Sequence, residues 1–280
     1  MELQLKELQL EIDQDSCIQC RACVQDCPYA ILELAPDYPA VIPDRAEQCI
    51  ECQHCLAVCP TGALSILGFE PEGSLPLKGI FPTEEQLSGL IRGRRSVRRY
   101  KATPLEPEVI DAMLATVAHA PTGVNNCQCL FSVVEDQEVM KRIREQTIAG
   151  IRAKAESESL PSGLEFFAGI VRAWDEGNDI LFRGAPHLLL VSTPKQGPSP
   201  QVDPIIALSY FELLAASMKL GTLWNGLAKW AFMDIVPEML PRLGIPEDHS
   251  LGYLMLFGQP AVQYFRTVQR APGNVRRVVF

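Results

Sequence analysis

The sequence predicts an α+β layer fold preceded by a small cysteine-rich module, and three observations carry that expectation. Eight of the ten cysteines fall in the first 59 residues, in two identically spaced groups. Apolar runs of strand length at Leu130 to Val134, Leu188 to Val191 and Leu254 to Phe257 alternate with longer stretches of helical periodicity. A chain of 280 residues with 47% hydrophobic composition can bury one sizeable core and still carry a second, smaller unit. The expected organisation is a first domain over 1–70, a linker over 71–82 and a larger domain over 83–280.

The opening stretch MELQLKELQLEID mixes acids among its apolar residues, so it reads as neither a signal peptide nor a transit peptide. The most apolar segment, Ile205 to Met218, contains Glu212 and is too short to cross a bilayer; it reads as a buried helix. A soluble, cytoplasmic protein is expected. In a reducing compartment, ten cysteines argue for metal ligation over a disulfide framework. Residues 1–70 hold twelve Asp or Glu against Lys6, Arg21 and Arg45, which accounts for the whole net charge of −9 and leaves the remainder neutral. An acidic front end repels nucleic acid and an anionic membrane surface alike, whereas a basic protein partner suits it.

The cysteine groups are a duplication. Cys17-x2-Cys20-x2-Cys23-x3-Cys27-Pro28 recurs as Cys49-x2-Cys52-x2-Cys55-x3-Cys59-Pro60, and beyond the cysteines Ala30-Ile31 is matched to Ala63-Leu64. The pattern resembles that of the bacterial two-cluster ferredoxins. Three thiolates on one tight loop can each take an iron of one cubane, while the fourth, beyond the turn, reaches the other cluster. Cys17, Cys20, Cys23 and Cys59 are thus expected to hold one 4Fe-4S cluster, and Cys49, Cys52, Cys55 and Cys27 a second. A zinc ribbon needs only four thiolates and no trailing Cys-Pro. His54, inside the second loop, is given no role.

From Gly68 to Pro82 the chain is rich in Pro and Gly without periodicity, as in a surface linker. Thr83-Glu-Glu-Gln86 then reads as a capping box opening a helix with Leu87, Leu90 and Ile91 on one face, broken near Gly93. Helices are expected over Glu106 to Ala118, Gln137 to Ala155, Asp203 to Leu220 and Ile235 to Leu243. No Gly-x-Gly-x-x-Gly turn follows any strand, so a Rossmann dinucleotide site is unsupported.

Arg92 to Tyr100 reads RGRRSVRRY, five arginines in nine residues of an otherwise neutral domain. Such a cluster calls for an anion, and a phosphate monoester suits it, because arginine forks bind its oxygens bidentately and Ser96 adds a hydroxyl. A solvated basic turn is the alternative. Arg94-Arg95-Ser96-Val97-Arg98 resembles the N-terminal Arg-x-Ser-x-Arg/Lys signature of the nitroreductase superfamily of FMN enzymes. Three further segments agree in order. Ala120-Pro121-Thr122-Gly123-Val124-Asn125 is similar to the family's Pro-Ser/Thr-x-x-Asn turn, Leu220-Gly221-Thr222-Leu223-Trp224-Asn225-Gly226 to its Leu-Gly-Thr-x-Trp-x-Gly segment, and Gly258-Gln259-Pro260 with Arg270-Ala271-Pro272 to its closing motifs.

The resemblance implies a nitroreductase-like sheet with surrounding helices and a homodimer binding FMN at its interface. Arg94, Arg95, Ser96, Arg98 and Arg270 would cradle the phosphate and ring edge. Pro121, Thr122, Gly123 and Asn125 would come from the partner subunit, with Asn126 and Gln128 as counterparts in the alternative register. Asn225 and Gly226 would present backbone near the flavin's N5. Leu160 to Arg183, with Phe166, Phe167, Trp174 and Phe182, is expected to form a substrate lid, and Val275 to Phe280 to extend the partner's sheet. Cys127 and Cys129, two apart, would share one face of an extended strand. They read as packed residues or as thiols beside the flavin, and His119 and His187 as packed or proton-donating. No general acid is named.

The implied function is an FMN-dependent oxidoreductase passing electrons from two 4Fe-4S clusters to FMN and on to a small electrophilic acceptor: a nitroaromatic, a quinone or an activated alkene. A protein electron donor is compatible with the acidic module. An electron carrier or redox sensor without a substrate, and a nitroreductase driven directly by NAD(P)H, are the competing readings. Dehalogenation and flavin fragmentation, also known in the superfamily, stay open.

Overall fold

The structure is a computed structural model that describes residues 8–271 and 273–280. Most of the opening stretch weighed for export signals, and Pro272 of the closing motif, lie outside the described residues. The chain divides into two compact units, Met1–Phe81 and Pro82–Phe280.

In the first unit, β1 (Leu10–Ile12), α1 (Ala22–Asp26), β2 (Leu32–Leu34), β3 (Pro39–Val41), α2 (His54–Ala57) and β4 (Leu64–Ile66) follow in order. β1 pairs antiparallel with β4, and β2 with β3. Ile31, Leu32, Leu56, Leu64 and Ile66 form the small core, with Cys23 and Cys55 buried among them. The duplication is visible in the backbone. Gln19 and Arg21 in one loop, and Glu51 and Gln53 in the other, have φ between 55° and 64°. Each left-handed residue costs about 1–3 kcal/mol and persists only where its surroundings over-determine it. The repeat beyond the cysteines needs one correction. Ala30 (φ 48°) and Gly62 (φ 65°) occupy the same left-handed turn, three residues after the closing cysteine. Ile31-Leu32 therefore corresponds to Ala63-Leu64, one residue off the expected match.

The second unit opens with α3 (Glu84–Gly93), whose Thr83 capping box is complete: Gln86 N–H donates to Thr83 Oγ1 and Thr83 N–H to Gln86 Oε1. α4 (Pro107–Val117), β5 (Leu130–Val134), α5 (Gln137–Glu156), α6 (Phe167–Asp175), β6 (His187–Pro194), α7 (Asp203–Ser217), β7 (Gly221–Trp224), α8 (Gly226–Trp230), α9 (Met239–Arg242) and β8 (His249–Gly258) follow. The strands form one antiparallel sheet in the order β5-β6-β8-β7. Leu188 and Leu190 of β6 join Leu254 and Leu256 in a core with residues of α5 and α6, while Leu189 and Val191 join Met255 and Phe257 in a second core with α4 and α7. The sheet is thus covered on both faces, which is why its central strand reads as a continuous apolar run.

Several expectations change here. The helix expected over Ile235 to Leu243 forms only as the short α9, Met239–Arg242: α8 runs into a π-turn at Ala231–Ile235 and stops at Val236 (φ −128°, ψ 57°). Pro237 excludes the α conformation from the residue before it. The Leu-Gly-Thr segment supplies an unforeseen edge strand, β7. Phe167 and Phe182 are fully buried in the core and so cannot belong to a lid; Phe166 is the exposed ring, set edge-on to Trp230 at 6.3 Å. Cys127 has φ 48°, and the strand starts only at Leu130, so Cys127 and Cys129 are not neighbours on one strand face. Val275 to Phe280 carries no strand pairing within the chain and is exposed.

Candidate functional site

The first unit presents two thiol-lined cavities. One is lined by Cys17, Cys20, Cys23 and Cys59, the other by Cys27, Cys49, Cys52 and Cys55. Each set combines three cysteines of one loop with the closing cysteine of the other. The chemistry suits iron, because four soft thiol donors line each cavity. Ile31 N–H lies 3.5 Å from Cys27 Sγ and Ala63 N–H 3.2 Å from Cys59 Sγ, while Thr61 Oγ1 adds a 3.7 Å contact to Cys59 Sγ. Burial pushes the Cys55 thiol up to about 11, so a cation must supply the charge compensation that a thiolate there needs. No group of three or more metal-binding side chains is preassembled at metal-ligand geometry among the described residues. His54 lies beside Asp26, Nδ1 to Oδ2 3.5 Å, and both are exposed.

In the second unit the arginine segment is held between two strands of chain. Val97 N–H donates to Thr222 O of β7 at 2.8 Å, and Ser96 bridges Thr222 in parallel. On the other side Lys101 N–H donates to Gln259 O and Ala261 N–H to Arg99 O. Gly221 permits this approach, since a Cβ there would sit 2.8 Å from the Val97 side chain. The result is a cleft of about 810 Å³ whose walls include Leu90, Arg94, Arg95, Lys101, Lys219 and Tyr264. Arg94 Nη1 is paired to Glu212 Oε1 of α7 at 2.8 Å, and Glu212 is largely buried. Arg95 gives Nη1 to the Arg94 carbonyl, while its Nε and Nη2 are buried with no partner. Those two nitrogens form the side-on edge of the guanidinium, the edge that takes two oxygens of one oxyanion.

The remaining sequence candidates are distributed. Ser96 and Arg98 belong to the same segment but do not line the cleft, and Arg98 is exposed. Arg270 lies on the exposed tail and is not brought to the cleft. Pro121, Thr122, Gly123 and Asn125 form a tight turn at the other end of α7. Gly123 N–H donates to Asp203 Oδ1 at 3.1 Å, and Thr122 Oγ1 accepts from Cys127 N–H at 3.0 Å. Asp203 and Glu212 are nine helical residues apart, so the turn and Arg94 are separated by roughly 14 Å along the axis. Within one chain they do not meet.

Asn225 is buried and committed. Its N–H donates to Leu254 O, its Oδ1 caps α8 at Ala228 N–H, and its Nδ2 donates to Leu181 O. The expectation that Asn225 offers its backbone N–H to a ligand is corrected, because β8 already takes it; Gly226 alone of the pair stays a candidate. His187 is a core residue: Nε2 accepts from Leu105 N–H at 2.8 Å and Nδ1 faces Val134 O at 3.3 Å. Burial depresses its basicity. His119 is exposed. Cys129 is half-buried, and burial, with the Asp203 charge second, pushes its thiol up to about 11. The sequence gives no sign that Lys101, Lys219 and Glu212 belong to this site, because only the tertiary fold brings them to the arginines.

Paired thiol quartets in one unit and an oxyanion-seeking arginine cleft in the other define a redox protein of two modules. Residues 91–259 match the nitroreductase family and residues 9–64 the 4Fe-4S dicluster domain. The first match covers more than half of the chain, which therefore belongs to the nitroreductase family. Among curated proteins, the chain is similar to iodotyrosine deiodinase of Danio rerio, 26% identical over 185 residues, covering 63% of this chain and 61% of that protein. The chain thus spans about three fifths of the length of that relative. Among solved structures it is similar to a nitroreductase with bound FMN from Bacteroides fragilis, at a TM-score of 0.57 and 20% identity, covering 71% of this chain and all of that one. A nitroreductase with bound FMN from Desulfitobacterium hafniense gives 0.54 and 24% over 70% of this chain and all of that one. These likenesses show the α+β nitroreductase fold. Among the described residues, no helix is long and apolar enough to cross a membrane.

Proposed function

We propose that this chain is an FMN-dependent oxidoreductase that accepts electrons singly at its thiolate module and delivers them in pairs to a small electrophilic acceptor. The observation that carries the reading is the presence, in one chain, of two complete thiol quartets and a cleft holding an arginine edge with no partner. When bound, 4Fe-4S clusters supply a one-electron relay, and FMN supplies the conversion between single and paired electrons.

The chain's own residues supply the binding. Cys17, Cys20, Cys23 and Cys59 hold one cluster, and Cys27, Cys49, Cys52 and Cys55 the other. Arg95 receives the flavin phosphate on its Nε and Nη2 edge, while Arg94, fixed by Glu212, stiffens the wall and leaves Arg95 to carry the charge. Ser96 and Arg98 follow on the same segment toward the ring edge, and Arg270 approaches only if the tail moves. Pro121, Thr122, Gly123 and Asn125 sit at the far end of α7 from Arg94 and serve the partner's flavin in a homodimer, as the family resemblance implies. The exposed Ile205 and Tyr210 of α7 supply apolar surface for that interface. Gly226 approaches the reactive edge of the ring. The acceptor is a nitroaromatic, a quinone or an activated alkene, the donor a protein with a basic face, and the compartment the cytoplasm.

Anaerobic turnover of nitrobenzene and of a benzoquinone, compared with free FMN, tests the reading. Acceleration with a reduced ferredoxin as donor, exceeding that with NADH, is expected. No acceleration over free FMN with any donor would leave an electron carrier instead.

A further inference from the structure

The two thiol quartets are copies in sequence but not in surroundings, and the differences at the ligating cysteines themselves act in one direction. Cys59, which closes the first quartet, faces two donors: Ala63 N–H at 3.2 Å and the Thr61 hydroxyl at 3.7 Å. Cys27, its counterpart in the second quartet, faces Ile31 N–H at 3.5 Å, and the residue matching Thr61 is Tyr29, with no bond to the sulfur. A donor to a ligating thiolate stabilises the reduced, more negative cluster and raises its potential.

Charge within the loops agrees. Arg21 follows Cys20, where the second loop has Gln53; Glu51 precedes Cys52, where the first has Gln19; and Asp26 precedes Cys27, where Val58 precedes Cys59. Counted by quartet, the cysteines of the first set adjoin one positive side chain, Arg21, and those of the second adjoin two negative ones, Glu51 and Asp26, with His54 beside Asp26. Just upstream the balance runs the other way, with Asp13 and Asp15 before Cys17 and Arg45 and Glu47 before Cys49. These four stand two or four residues before the first cysteine of each loop, whereas Arg21, Glu51 and Asp26 each adjoin a ligating cysteine; all of them are exposed, and Arg45 is engaged with Ala30 O at 3.1 Å. Exposure agrees as well: Cys20 and Ile18 are exposed, whereas Cys52 and Ile50 are half-buried. Water at a cluster favours its more negative state.

We propose that Thr61 and Arg21 make the cluster held by Cys17, Cys20, Cys23 and Cys59 the higher-potential one, so that a single electron entering the module rests there first. Thr61 is a tuning residue that acts through Cys59. The inference rests on the assignment of two clusters to these quartets. It gives the module a direction: the cluster held by Cys27, Cys49, Cys52 and Cys55 is the stronger reductant and discharges to its neighbour by one electron with no bond made or broken.

The test is an anaerobic redox titration of the full-length protein followed by electron paramagnetic resonance, with iron and sulfide measured on every sample. Two resolved one-electron waves are expected in the native chain. Thr61→Val lowers the upper wave and leaves the lower one in place, Thr61→Ser restores it, and Tyr29→Thr raises the lower wave. Should Thr61→Val lose iron, Arg21→Gln makes the same prediction for the upper wave without touching a sulfur contact. A single unresolved wave, or an upper wave unmoved in every iron-replete variant, overturns the ordering. Absence of any iron-sulfur signal overturns the cluster assignment itself, and the ordering with it.

Discussion

Replacing Arg95 by Met separates the work this residue does with a ligand from its cost without one. In the structure Nε and Nη2 are buried and unpartnered, and each such donor costs about 1–3 kcal/mol. A phosphate taking both nitrogens removes those penalties and adds charge-assisted bonds of about 1.5–3 kcal/mol each. Part of this is recovered when the phosphate of the variant complex turns to water. A net loss of about 3 kcal/mol follows, so FMN binding should weaken by a factor on the order of 100. The ligand-free protein moves the opposite way: Arg95→Met removes two unpaired donors and forfeits one bond to the Arg94 carbonyl, a gain of about 1 kcal/mol. Its melting point should hold or rise by about 2–4 °C. Fluorescence titration of flavin-stripped protein measures the first effect and thermal unfolding the second, with riboflavin as the control. Riboflavin lacks the phosphate, so its affinity should be unchanged. Equal weakening of FMN and riboflavin, or a destabilised ligand-free variant, would refute the assignment of this edge to the phosphate.

Glu212→Gln should leave the Arg94 guanidinium without its counter-charge and cost about 1–3 kcal/mol in urea unfolding, with FMN affinity falling because the arginine wall is no longer fixed. Gly221→Ala drives a methyl to 2.8 Å from Val97 and should cost about 1–3 kcal/mol while loosening the Ser96 bridge to β7; a variant of native stability would contradict the packing. Cys59→Ser should remove one cluster and halve the iron content, whereas loss of both or neither would contradict the crossed quartets. His187 gives a pH prediction. Burial keeps it neutral in the folded chain, and its folded pKa lies below the unfolded value of about 6.5. As pH falls below that value the unfolded chain takes up a proton that the folded chain refuses, so stability decreases, by at most about 1.4 kcal/mol per pH unit. His187→Gln should flatten the slope of unfolding free energy between pH 5 and 6.5, and an unchanged slope would remove His187 as its source.

What could be read before folding was whatever local chemistry imposes. Thiolate spacing is set by the reach of a single loop, so the duplicated cysteines were visible as ligands, and the capping box at Thr83 is a four-residue device. The run Leu188 to Val191 is apolar because both faces of its strand are covered, yet His187 and Ser192 to Pro194 belong to the same strand and are hidden by their polarity. β7 went unseen because Gly221 and Thr222 are chosen for the approach of Val97 and Ser96, not for burial pattern. The helix expected over Ile235 to Leu243 followed apolar periodicity and neglected what Pro237 does to Val236. Glu212 looked like an interruption of an apolar helix until Arg94 arrived from 118 residues away in sequence. The commitment of the Asn225 N–H to Leu254 likewise depends on β8, which no local pattern announces.

The proposed function requires two cubanes and one flavin on the same polypeptide. Anaerobic purification with iron, acid-labile sulfide, zinc and FMN quantified per chain, alongside the visible spectrum, addresses it most directly. Equal iron and sulfide sufficient for two 4Fe-4S clusters, with one FMN per chain, is the predicted result. Colourless protein, or protein holding zinc and no flavin, would contradict it.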